Sequence, residues 1–204
     1  MNRKYGWLVM IMALAATLSL TACAKPPQVE IDGAAAALAQ AETAEAATYA
    51  ATELEQAREA QRAATAEIEA QGQKFALLRS YDHALELLQK ANEAAVAAEQ
   101  AAVAGRAKAK ADAEAAVVAI GEGLATVDAD LAALAACRKK PKGFAQDLEL
   151  LTGRAEALRG QVAEIQASID AARFLPAIEM ATALQAEITT LSTDLSGART
   201  KLGC

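Results

Sequence analysis

The sequence predicts an all-α protein, an elongated antiparallel bundle of long helices paired as coiled-coil hairpins, on three observations. More than a quarter of the 204 residues are alanine and only 3% are aromatic. Ala, Leu, Glu, Gln, Lys and Arg favour helix, whereas strands draw on β-branched and aromatic side chains. Apolar residues recur at alternating spacings of three and four, as an a/d seam requires. No proline lies between Pro27 and Pro141. The hydrophobic content of 54% overstates the core, because a methyl group removes little area from water at ~25 cal/mol per Å². Thin, closely spaced helices are therefore expected.

The first 22 residues read differently. A short basic segment, Asn2-Arg3-Lys4, precedes an apolar run over residues 7–20, the layout of a cleaved secretory signal. As a helix that run would span only ~21 Å against a ~30 Å hydrocarbon core, too short for a comfortable membrane span. The tetrapeptide Leu20-Thr21-Ala22-Cys23 that follows resembles the lipobox of bacterial lipoproteins. The resemblance implies cleavage between Ala22 and Cys23, diacylglycerol on the Cys23 sulfur, and a fatty acid such as palmitate on the new amino group. Each buried methylene contributes ~0.8 kcal/mol and several acyl chains anchor stably, so the chain is expected to be moored to a membrane. Ala24 is not the Asp associated with inner-membrane retention, which implies an outer-membrane, periplasm-facing lipoprotein.

Residues 23–33 read as a lipidated tether, with the paired Pro26 and Pro27 opposing helix and Asp32 offering an N-cap. A long hairpin is expected over residues 34–137. Its first helix would run from 34 to 79 with a weak seam of Leu54, Ala57, Gln61, Ala64, Ile68, Gln71, Phe75 and Leu78. A rod of 46 residues would be ~70 Å long. A reversal is placed near residues 78–81, with Ser80 as N-cap; a continuous kinked helix is the alternative. The second helix would reach Cys137, and Gly105, Gly121 and Gly123 are candidate breaks, each costing ~1 kcal/mol relative to Ala. Its better seam is Val117, Ile120, Leu124, Val127, Leu131 and Leu134.

Arg138-Lys139-Lys140-Pro141-Lys142-Gly143 ends that helix with cations suited to a C-terminus and a proline after them. A second hairpin is expected over residues 144–204, packed on the first. One stripe is Phe144, Leu148, Leu151, Ala155, Leu158, Val162, Ile165, Ile169 and Ala172. The other is Ala177, Ala181, Leu184, Ile188, Leu191, Leu195, Ala198 and Leu202, with Phe174-Leu175-Pro176 at the corner. Tyr81-Asp82-His83-Ala84-Leu85 parallels Phe174-Leu175-Pro176-Ala177-Ile178, which suggests that the hairpins are related. Four such stripes in one chain favour pairing within it over self-association.

With Cys23 lipidated, Cys137 and Cys204 remain, an even pair in an oxidising compartment. Four helices running up, down, up, down put both at one pole, so a disulfide is expected; free thiols or an intermolecular bridge are the alternatives. The same reasoning places the start of the first helix, and hence the lipid and the basic residues 138–142, at that pole.

No catalytic or metal-binding residue and no cofactor is expected. One histidine, His83, cannot build a triad or a multi-His site. Glu53, Glu55 and Glu59 read as a solvated face with Arg58 and Arg62 in reach. Loss of Arg3 and Lys4 with the leader leaves 18 basic against 26 acidic residues, a mature charge of −8 that would not attract nucleic acid.

Residues 30–105 resemble the alanine-rich, tetratricopeptide-like helical lipoproteins known only as a domain of unknown function. The likeness rests on the aromatic-Ala-x-x-Glu-Leu element, here Tyr49-Ala50-Ala51-Thr52-Glu53-Leu54, and on the Tyr81-Asp82-x-Ala84-Leu85 opening. Arg79-Ser80 replaces the usual Gly-Asp before that tyrosine. The resemblance implies a helical fold and an envelope location and names no activity. The expected function is a non-enzymatic structural spacer or docking component, whose partners are the membrane, through the lipid, and an envelope protein. The alternative is a tetratricopeptide-like module gripping a peptide, a glycan or an export-machinery component. A spacer needs helices longer than thirty residues, a groove needs stacked shorter pairs.

Overall fold

A computed structural model describes residues 25–204 of the chain, so Ala22, Cys23 and the whole leader lie outside the described residues. The chain is all-α, with no strand among the described residues. Its helices are α1 (Gln28–Thr43), α2 (Ala46–Tyr49), α3 (Ala51–Gln73), a 3-10 turn (Ala76–Leu78), α4 (Asp82–Ala135), α5 (Phe144–Asp170) and α6 (Phe174–Leu202). It forms two compact units, divided in sequence between Gly105 and Arg106.

The first unit is a three-helix bundle of α1, α3 and the part of α4 up to Gly105. Its core is stacked in layers: Ala34 with Ala64, Leu88 and Ala91; Ala37 with Ala57 and Ala95; Ala41, Ala46 and Ala50 with Leu54, Ala98 and Ala102. Numbers rise along α1 and α4 as they fall along α3, so α3 runs antiparallel to both. Almost every core position is a methyl group. The attraction therefore comes from many contacts between closely approaching backbones rather than from large buried side chains.

Several expectations are corrected here. The tether is shorter, because α1 begins at Gln28 with Pro27 as its N-cap. A proline there forfeits only an amide that a helix start leaves unpaired. Asp32 is no cap; it accepts a hydrogen bond from Gln28 Nε2 one turn earlier in α1 (2.8 Å). The expected 34–79 helix is instead two antiparallel helices, reversed at Ala44 and Glu45, where Glu45 has φ 64°. Because the chain turns one helix early, the start of α1 packs beside Leu88 in the first unit. The disulfide and residues 138–142 belong to the second unit, which removes the argument that the tether shares their pole. Neither Gly105 nor Gly121 nor Gly123 breaks α4, which is one helix of 54 residues.

The second unit combines residues 106–135 of α4 with α5 and α6. Arg106 lies over the Phe174 ring, Gly123 faces Ile188, Arg199 pairs with Asp130 and Cys137 with Cys204. Each pair is separated by roughly the same interval, so α6 runs parallel to α4. α5 meets α4 through the ion pair of Arg159 with Asp128 and α6 through that of Arg154 with Asp194, and the three-residue corner at 171–173 turns it antiparallel to α6. The core here is larger: Ile120, Val127, Ile165, Leu184, Leu191 and Leu195 are fully buried. The predicted stripes of α5 and α6 supply most of it, while Phe144, Leu148, Leu151 and Val162 are only half-buried.

The 171–173 corner is held by Ser168, a buried polar residue in an otherwise apolar layer. Its hydroxyl donates to the Arg173 carbonyl (3.2 Å), and the Arg173 amide donates back to the Ser168 carbonyl (2.9 Å). Ala172, expected in the stripe, has left the helix with φ 57°. α6 opens at Phe174, which puts Pro176 in the first turn, where no intrahelical amide is needed.

Candidate functional site

Two features stand apart from the repeating packing. The first is the bridged end of the second unit. Cys137 and Cys204 are within bonding distance, their Cα atoms 5.6 Å apart, inside the usual range for a disulfide. Cys137 is buried. The nearby basic residues Arg138, Lys139, Lys140 and Lys142 are exposed, and the Lys140 ammonium lies 5.7 Å from the centre of the Phe144 ring. Leu134, Phe144, Leu148, Leu151 and Leu202 line an open apolar groove of about 500 Å³.

The second feature, which the periodicity argument missed, is the segment joining α3 to α4. Phe75 and Leu78, expected to continue the first seam, are 70% and 73% exposed, and Leu77 between them is 69% exposed. The seam ends because α3 ends: Arg79 reaches back and donates to the carbonyls of Gly72 and Lys74, both at 2.9 Å. Gln71, a polar member of the weak seam, is buried and accepts the Ser80 amide on its Oε1 (3.2 Å) while donating to Glu67 (2.7 Å). The Arg79 bond to Gly72 caps one carbonyl in the last turn of α3, and beyond that end Phe75, Leu77 and Leu78 are exposed. Tyr81, not the expected Ser80, is the N-cap of α4, its carbonyl accepting the Leu85 amide (2.8 Å), while Ser80 Oγ one residue earlier accepts the Asp82 amide at 3.4 Å.

This apolar turn shares a pole of the first unit with the start of α1. Ile31 and Ile68 pack on the same cluster, and Val29 and Gly33 line a shallow hollow with Leu85 and Leu88. Val29 itself is 80% exposed.

The remaining candidates are ordinary surface. His83 is exposed, with Nδ1 3.6 Å from Glu86. Arg58 ties α3 to α1, donating to Glu42 (2.7 Å) and to Glu55 on its own helix (2.6 Å). Its hydrogen bonds to Glu42 and then Glu55 hold the guanidinium above its usual range. Among the described residues no three metal-donor side chains converge, and no helix is long and apolar enough to cross a membrane. No family model, curated protein or solved structure matches this chain.

Proposed function

We propose that the protein is a non-enzymatic lipoprotein of the bacterial envelope, moored through acylated Cys23 and serving as a docking or assembly component on the periplasmic side of the outer membrane. The observation that carries this reading is the leader itself: a basic start, a short apolar run and Leu20-Thr21-Ala22-Cys23, directly followed by a helix that begins at Gln28. A spacing role stands beside docking: the first helix is a pair of 16 and 23 residues, but the 54-residue α4 meets the length a spacer needs.

Fractionation of cells producing the wild type and Cys23→Ser tests the anchor. The wild type should sediment with outer membranes, and the variant should be released or remain uncut. Equal association of both with the outer membrane would contradict it. Crosslinking in cells from exposed sites on α3, followed by mass spectrometry, should recover an envelope protein; recovering none would remove the docking role.

A further inference from the structure

We propose that the turn holding Phe75, Leu77 and Leu78 is a second membrane contact, dipping into the lipid interface beside the acylated cysteine. The proposal rests on the anchor reading above and adds the surface through which the folded unit meets the bilayer.

Cys23 precedes Gln28, the first residue of α1, by five residues, and five extended residues span at most about 18 Å. An acylated Cys23 therefore confines the start of α1 to the immediate neighbourhood of the headgroups. The apolar turn occupies that same pole, since Ile31 of α1 and Ile68 near the end of α3 share one cluster.

The chemistry fits the location. Three large apolar side chains, each more than two-thirds exposed, form a patch that water disfavours and the interface accepts, and aromatic and aliphatic side chains are the ones that seat there. Lys74 precedes the trio in sequence, with an aliphatic stem that can lie along apolar surface while its charge stays at headgroup level. The turn is also pre-shaped. Gln71 and Arg79 fix its backbone from behind, so the trio is presented without first having to be ordered. A protein partner or a second copy of this chain would also cover apolar side chains. The tether selects the bilayer because it delivers this pole to lipid regardless of any partner.

Trp7, the only tryptophan in the sequence, is lost with the leader when the chain starts at Cys23, so Leu77→Trp reports on the turn alone. The full chain, purified as produced in cells, is reconstituted into phosphatidylethanolamine–phosphatidylglycerol vesicles with and without brominated acyl chains. The control is Val103→Trp, at an exposed position of the same unit beside the layer of Ala41 and Ala102, away from the turn. A tryptophan seated ~5–10 Å into the headgroup–acyl boundary should lose about two-fold or more of its emission to bromine. It should also emit at shorter wavelength, while the control stays unquenched. Unquenched, water-like emission from position 77 in protein whose Cys23 carries acyl chains by mass spectrometry overturns the contact and leaves the anchor intact. A blue shift without bromine quenching overturns it in favour of a protein occupant. Absence of acyl chains on Cys23 overturns the anchor reading, and with it the reason to seat this pole on lipid.

Discussion

The Tyr49 carbonyl oxygen lies against the α-carbon of Gly105: a Cβ at position 105 would stand 2.7 Å from that oxygen and 3.1 Å from the Tyr49 Cβ. The glycine is thus a point of close approach between α2 and α4, where the backbone on the other side cannot easily give way. Gly105→Ala gains ~1 kcal/mol of helix propensity and loses it again to the clash, since overpacking costs ~1–3 kcal/mol. Net destabilisation is expected in urea unfolding followed by circular dichroism. Gly121→Ala in the same helix meets nothing within 4 Å and should stabilise by roughly 0.5–1 kcal/mol.

Leu54 is the one large buried side chain in a layer of Ala41, Ala46, Ala50, Ala98 and Ala102, with Leu38 and Tyr49 partly buried at its edge. The surrounding methyl groups cannot expand to fill its place. Leu54→Ala should therefore cost about 2–5 kcal/mol, read as a lower urea midpoint. Leu150→Ala, at an exposed position, should change stability by less than about 0.5 kcal/mol.

The paired cysteines close a loop with a sequence separation of 67. In the chain-entropy account a bridge of that length contributes about 4 kcal/mol. Reduction should lower the unfolding midpoint of the second unit by a corresponding amount. Alkylation of the unreduced, unfolded protein should label neither Cys137 nor Cys204.

Gln71→Ala leaves the Ser80 amide without its acceptor and should cost about 1–2 kcal/mol. Amide exchange at Ser80 should speed up, while exchange in α5 and α6, in the other unit, should not change.

What could be read from the sequence depended on how much side-chain size varied. In α5 and α6, Leu and Ile at the core positions contrast with Glu, Thr and Gln elsewhere, so the stripes, the 138–143 break and the cysteine pairing were all legible. In the first unit, alanine fills the core and much of the surface. Shifting the helical phase there changes almost nothing in the pattern, and the reversal at Ala44 and Glu45 left no mark. It also lacks glycine: Glu45 takes the left-handed conformation itself, an uncommon state for such a residue. The element Tyr49-Ala50-Ala51-Thr52-Glu53-Leu54, placed inside a first long helix, instead straddles the start of α3, with Ala50 and Leu54 buried. Gly105 was misjudged for a related reason, because the partner that demands it is Tyr49, far away in sequence. Phe75 and Leu78 fall in phase with the seam, so periodicity alone carries the helix past Gln73, where it ends.

The reading as a whole turns on the covalent state of the N-terminus. Mass spectrometry of the N-terminal peptide, from protein extracted with detergent out of its own membranes, should give a chain that starts at Cys23 and carries diacylglycerol plus an amide-linked fatty acid. A chain that begins elsewhere, or a Cys23 with a bare thiol, would contradict it.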